Sequence, residues 1–334
     1  MTQNTSNEKS QPLSVLQNHL QDHMETVNAL ILERLKGDVP LIEKIAAYLI
    51  ASGGKRIRPL LTLACGQICQ SHDEHVQKLA AAVEFIHSAT LLHDDVVDGS
   101  DQRRGQASAN GVFDNKAPIL VGDFLFSRAF QLMVESKSMS ALKVLADASA
   151  TIAEGEVLQL SMVNNLEMTK EQYFKIIKGK TAALFAAACE VAPILSDLDE
   201  PKIKAFHDFG LNLGMAFQIA DDVLDYTQRS ETLGKNIGDD FREGKITLPI
   251  LICLENADEA ERAFWQRTMG DVNQTDEDLN TALRYISAHN AIELGYGVAH
   301  SYKAQALKAL DQFPSHVFKE TLVDLCDFVI LRQK

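Results

Sequence analysis

The chain has 334 residues, 46% of them hydrophobic and 23% charged, a balance that supports a large buried core. Forty-six acidic residues against 32 basic ones leave a net charge of −14, which argues against nucleic acid or an anionic membrane as the main partner. No apolar run is expected to span a bilayer and no signal stretch opens the chain, so the expected location is cytoplasmic.

Helical periodicity runs through almost the whole sequence and strand alternation is absent, so the expected fold class is all-α. Residues 1–12 are polar and are expected to be a disordered tail before a single domain over 13–334. Amphipathic helices are expected over 13–36 and 41–51, the second ending at Ser52-Gly53-Gly54. Lys55-Arg56-Ile57-Arg58-Pro59 follows, with Pro59 placed to open a helix. Glycines, cations and a helix start together can cradle a phosphate, although an ordinary loop with surface Lys and Arg reads the same way.

A long helix over 74–98 then ends in Asp94-Asp95-Val96-Val97-Asp98. Asp94 and Asp98 share a face, and like charges at that spacing destabilise a helix unless something offsets them. A divalent cation is the simplest candidate, and hard oxygen ligands of this kind suit magnesium. The loop after this box carries Arg103 and Arg104, read as bidentate phosphate clamps rather than a local salt bridge. Helices are expected over 117–135, 139–164 and 170–191. In the last, Lys180 and Thr181 bring a cation and a hydroxyl together without a Walker motif, although a lone helical lysine often just snorkels.

The helix over 200–227 carries a second box, Asp221-Asp222-Val223-Leu224-Asp225, followed by Gly-rich loops holding Lys235 and Lys245. Aspartate fills 25 of 334 positions, so a single D-D-x-x-D arises by accident only about 0.1 times in a chain of this length. A solvated acidic face is the bland alternative, but both boxes have apolar neighbours. They read as two walls of one metal–diphosphate site. Residues 248–334 look like a helical shell without evident chemistry, and His289, His300 and His316 read as structural or surface residues. The five cysteines, with no metal-type spacing beyond Cys65-x3-Cys69, read as buried reduced thiols.

At these residues the sequence resembles the trans-isoprenyl diphosphate synthases. The resemblance runs in order through Gly53-Gly54-Lys55-Arg56-Ile57-Arg58-Pro59, the first box with Arg103-Arg104-Gly105, Gly122-Asp123, Gly155-Glu156, Lys180-Thr181, Phe217-Gln218 with the second box, Gly234-Lys235 and Gly244-Lys245. It implies antiparallel helices around a deep cavity, a homodimer, and magnesium, three ions with substrate bound. It implies that Lys55, Arg58, His87 and Arg104 bind isopentenyl diphosphate. By the same resemblance Arg103, Lys180, Lys235 and Lys245 hold the allylic diphosphate. Asp94 and Asp98 would ligate two ions and Asp221 the third, with Asp95, Asp222 and Asp225 in support, while Thr181 and Gln218 face the allylic carbon.

Short-product members of that family place a bulky aromatic one turn before the first box, where this chain has Ala89 and Thr90. The expectation is therefore a long product of the octaprenyl type, used for quinone side chains, with Met133 as the chosen cavity floor and Phe126 as another candidate. Residues chosen only for helix packing would look alike. A shorter-chain synthase, a class I terpene cyclase and a non-catalytic subunit of a heteromeric synthase are the competing readings. The second complete box and the Lys55/Arg58 cluster argue against the cyclase, and the six intact aspartates against the silent subunit.

Overall fold

Apolar residues recurring every three to four positions are buried by packing helix on helix. The computed structural model describes residues 12–51, 54–71, 74–99, 102–103, 106–227 and 237–331, and its fold is all-α. The tail expected over 1–12 lies outside the described residues except for Pro12. In chain order the helices are α1 (Pro12–His19), α2 (Gln21–Leu35), α3 (Pro40–Ala51), α4 (Ile57–Ile68), α5 (His75–Val97), α6 (Ala109–Phe113), α7 (Lys116–Glu135) and α8 (Met139–Met162). Then come α9 (Lys170–Ile177), a π-helical turn (Lys178–Ala182), α10 (Ala183–Leu195), α11 (Glu200–Leu224) and α12 (Asp239–Arg242). The remainder is α13 (Leu248–Asn256), α14 (Glu259–Trp265), a second π turn (Gln266–Gly270), α15 (Asp278–Ala288), α16 (Ala291–Leu310) and α17 (Val317–Leu331).

Several starts are written in the sequence. Ser138 caps α8, Asp199 caps α11 with Pro201 just inside it, and Thr169 with Gln172 forms a complete capping box on α9. Other expectations need correction. The helix expected over 13–36 breaks at Leu20, whose φ of −110° and ψ of 15° leave the helical region. Pro59 is not the first helical residue. The helix begins at Ile57, and the first intrahelical bond is donated by Leu60, so Pro59 still occupies a position that needs no N–H. Strands were not expected, yet β1 (Gln102–Arg103) and β2 (Gln106–Ala107) pair antiparallel after the first box.

α10 is buried on nearly every side and packs on α4, α5, α8 and α11. α5 lies along α7 in the opposite sense. His93 near the end of α5 meets Ile119 and Asp123 at the start of α7, while Glu135 at the end of α7 feels His75 and Lys78 at the start of α5. One apolar cluster gathers around α4, α5, α7 and α10, and a second around α9 and α13 to α16. They meet along α11, where Leu213 belongs to the first and Met215 to the second, and at the π turn beside it. Contrary to the expectation about apolar runs, α7 is long and apolar enough to cross a membrane by length and composition. Its buried residues pack it against α5, while Ile119, Leu120, Phe130 and Val134 stay exposed. All five cysteines are free thiols, and Cys69 is only half-buried.

Candidate active site

Both aspartate boxes stand at a helix C-terminus. Asp98 closes α5 and Asp225 closes α11. The helix macrodipole is negative there, so a cluster of carboxylates demands nearby cations. Two are seen among the described residues. Lys180 Nζ lies 3.7 Å from Asp94 and 2.7 Å from Glu156 on α8. Lys245 Nζ lies 3.1 Å from Asp98, 147 residues away, and 2.6 Å from Glu243. Burial alone would lower the Lys245 ammonium, but Asp98 and Glu243 outweigh it and hold the group above its ordinary value.

The π turn brings the two boxes together. Lys180 reaches the first box, while its neighbour Thr181 donates its hydroxyl to Gln218 Oε1 at 2.8 Å. Gln218 Nε2 in turn donates to Asp222 Oδ1 at 2.7 Å, and the Tyr173 hydroxyl donates to Asp222 Oδ2 at 2.6 Å. Adjacent residues therefore reach opposite walls, Lys180 directly and Thr181 through Gln218. Such π bulges inside α-helices recur at functional sites. Here the turn fits because Gly155 of α8 packs directly on it. A Cβ on Gly155 would fall 2.8 Å from the Lys180 backbone N and 3.0 Å from the Gly179 carbonyl carbon.

Beyond the second box the chain folds back onto it. The Asp240 N–H donates to Asp225 Oδ2 at 3.1 Å, and Gly238 N–H to the Asp225 carbonyl at 2.9 Å. Gly244 has φ +70° and presses on Asn164 so closely that a Cβ would sit 2.0 Å from the Asn164 side-chain oxygen. That contact sets the path on which Lys245 turns back to Asp98. Crowded acids titrate abnormally. Burial pushes Asp222 up to about 7 against the pull of its Tyr173 and Gln218 hydrogen bonds, and burial with Asp225 alongside pushes Asp240 well up. Burial also raises Glu156, with Lys180 opposing it.

Of the expected site residues, Asp94, Asp98, Asp221, Lys180, Thr181, Gln218 and Lys245 thus gather around the π turn and the ends of α5 and α11. Asp95 points inward, 1% exposed. The basic entry to α4 sits lower along α5. Arg56, in a left-handed conformation, pairs with Glu84, one turn from His87. His87 shares the face of Asp94, two turns away. The Arg58 guanidinium lies 4.6 Å over the Phe185 ring, and the exposed Lys55 ammonium 5.4 Å over Phe328. Arg104 and Lys235 lie outside the described residues, as does the side chain of Arg103. Ala89 is completely enclosed, whereas Thr90, one turn from Asp94, is half-buried and donates its hydroxyl to the His87 carbonyl. Met133, 1% exposed, stands about 16 Å of helix below Gly122, near the level of the first box.

Sequence reasoning gave no role to Tyr173, Glu156 or Asp240. Tyr173 binds Asp222 across 49 residues, a pairing with no local signature. Glu156 was named with Gly155 in the family resemblance, but without a role.

The donor set fits a divalent cation held jointly with phosphate. Among the described residues no group of three His, Cys, Asp or Glu side chains converges tightly enough to hold an ion alone. Magnesium typically takes one or two carboxylates and completes its shell with water and substrate phosphates, which is what Asp94, Asp98 and Asp221 offer.

Comparison with known proteins agrees with this geometry. The family model described as Polyprenyl synthetase matches residues 39–286. Octaprenyl diphosphate synthase of Escherichia coli is 43% identical over 312 residues, covering 93% of this chain and 96% of that protein. The crystal structure of a decaprenyl diphosphate synthase from Rhodobacter capsulatus superposes with a TM-score of 0.93 at 48% identity, covering 96% of this chain and all of that one. A polyprenyl synthase from Caulobacter crescentus CB15, complexed with calcium and isoprenyl diphosphate, gives a TM-score of 0.93 at 48% identity, over 98% of this chain and all of that one.

Proposed function

The chain belongs to the polyprenyl synthetase family and is a long-chain trans-prenyltransferase, and we propose that it condenses isopentenyl diphosphate head-to-tail onto an allylic diphosphate such as farnesyl diphosphate. The product is of octaprenyl length and feeds quinone side chains. The observation that carries this reading is the π turn, where Lys180 pairs with Asp94 of the first box and the adjacent Thr181 reaches Asp222 of the second through Gln218.

Ionising an allylic diphosphate separates a carbocation from a highly charged leaving group, so the main task is to stabilise developing negative charge. Divalent metal, magnesium in three copies, supplies Lewis-acid stabilisation when bound through Asp94, Asp98 and Asp221. Lys180 and Lys245 neutralise the departing diphosphate, with Arg103 and Lys235 completing the clamp. Thr181 and Gln218 turn oxygen atoms toward the allylic carbon, and Asp222, fixed by Tyr173, keeps Gln218 in place. Lys55, Arg58, His87 and Arg104 hold isopentenyl diphosphate so that its double bond attacks the cation. The released diphosphate accepts the proton lost in the last step, since no side chain stands out as a base.

The growing tail runs down the α5 face past Thr90 toward Met133, and the small residues at Ala89 and Thr90 leave that path open. We further propose that residues 13–334 act as one domain, that the enzyme is cytoplasmic, and that it works as a homodimer. An exposed apolar row on α7 supports the dimer, with Leu120 67%, Phe130 44% and Val134 65% accessible. The purified protein, given farnesyl diphosphate, labelled isopentenyl diphosphate and magnesium, is expected to make products of about octaprenyl length. Products that stop at farnesyl or geranylgeranyl length would favour the shorter-chain alternative, and no incorporation would sink the proposal.

A further inference from the structure

The Gly122-Asp123 pair takes no part in the scheme above, yet Gly122 faces the residue just before the first box. His93 precedes Asp94, about 100° round the helix from it, and turns its imidazole to α7. Its Nε2 lies 3.1 Å from the Ile119 carbonyl oxygen. A carbonyl oxygen only accepts, so Nε2 carries the proton and donates it. Asp123 Oδ1 stays 3.6 Å from the same nitrogen, and the ring stacks on Phe126 with centroids 6.3 Å apart. The imidazole occupies a notch that exists because residue 122 has no side chain. A Cβ on Gly122 would fall 2.2 Å from Nε2 and 2.6 Å from Cδ2 of His93.

The notch stands beside the last turn of α5, where Asp94, Asp95 and Asp98 crowd a helix end that is already negative. Lys180 and Lys245 offset that charge through long, flexible side chains. The His93 side chain is short and stiff, and it reaches a backbone atom of the neighbouring helix. Building on the metal–diphosphate reading of the site, we infer that His93 is a positioning residue that pins the last turn of α5 to the backbone of α7. It thereby fixes where Asp94 and Asp98 present their carboxylates to a divalent cation, and Gly122 is what admits the imidazole.

The test is equilibrium dialysis of the full-length protein against Mn²⁺ and inorganic pyrophosphate, which reads ion retention and not turnover, with urea midpoints measured alongside. His93→Ala is expected to weaken retention about tenfold, as loss of a group that orients metal ligands does. Gly122→Ala should do the same by expelling the ring from its notch. It carries the test if His93→Ala folds poorly, since alanine is the better helix former. In a His93→Ala background Gly122→Ala should cost nothing further, because there is no ring left to expel. His93→Gln offers an amide N–H of similar reach and should restore most of the retention. Wild-type retention in both single variants, even with lowered urea midpoints, would overturn the inference and leave His93 a packing residue. So would losses that add in the double variant, or a His93→Gln as weak as His93→Ala. A wild-type protein that retains no Mn²⁺ would instead defeat the reading of the site, and the inference with it.

Discussion

Replacing Gly155 with alanine isolates the contact that seats the π turn. The added Cβ would lie 2.8 Å from the Lys180 N and 3.0 Å from the Gly179 carbonyl carbon, both backbone atoms that cannot swing away. Ordinary carbon contacts sit near 3.5–4.0 Å, so α8 and the turn must part by roughly 0.5–1 Å. Overpacking of this kind costs about 1–3 kcal/mol, and the better helix propensity of alanine returns about 1 kcal/mol. Net destabilisation is therefore about 0–2 kcal/mol. The effect on activity is expected to be far larger, because the displaced atoms carry Lys180, and a misplacement near 1 Å can cost about a hundredfold in rate. Gly297→Ala is the control. It is also a helical glycine, but nothing lies within 4 Å of its Cβ position, so it should gain about 1 kcal/mol and keep full activity. Urea denaturation gives the stabilities, and steady-state condensation kinetics give kcat/KM. A Gly155→Ala enzyme with wild-type kcat/KM would refute the claim that this contact sets the position of Lys180.

Product length should respond at the first turn below the box. Thr90→Phe, on the face of Asp94, is expected to shorten the products sized by chromatography, and an unchanged length would defeat the proposed tail path. Ala89→Phe should do the same but also cost about 1–3 kcal/mol, because Ala89 is fully enclosed. A third prediction concerns acid stability. Asp278 accepts from the Arg267 guanidinium at 2.7 and 2.9 Å and from the Thr275 N–H and hydroxyl at 2.7 and 2.9 Å. Those contacts, the Arg267 hydrogen bonds first, hold its carboxyl well below the usual range. A depressed native value supports folding above the unfolded value and loses that support as pH falls below it. The urea midpoint should therefore drop between about pH 4 and pH 2, and Asp278→Asn should flatten that part of the profile. Parallel profiles would refute the assignment.

The chemistry was most legible where it is local. Asp94 with Asp98, and Asp221 with Asp225, announce themselves because four residues make one helical turn, and the capping residues Ser138, Thr169 and Asp199 mark helix starts within three positions. Legibility fails where geometry is made at long range. Tyr173 meets Asp222, and Lys245 meets Asp98, only because separate helices converge. The π turn is equally silent, since nothing within Lys178–Ala182 marks a wider turn and its close contact with Gly155 is made across the fold. Pro59 illustrates a smaller ambiguity. Any of the first helical positions tolerates its missing N–H, so its presence marks the start of α4 only to within two residues.

The central claim is that the ends of α5 and α11 share one cation–diphosphate site. Anomalous diffraction from crystals soaked with Mn²⁺ and inorganic pyrophosphate tests it most directly. The expected result is manganese between the two helices, ligated by Asp94 and Asp98 on one side and Asp221 on the other, with pyrophosphate bridging the ions. Manganese confined to one box, or pyrophosphate bound away from both, would contradict it.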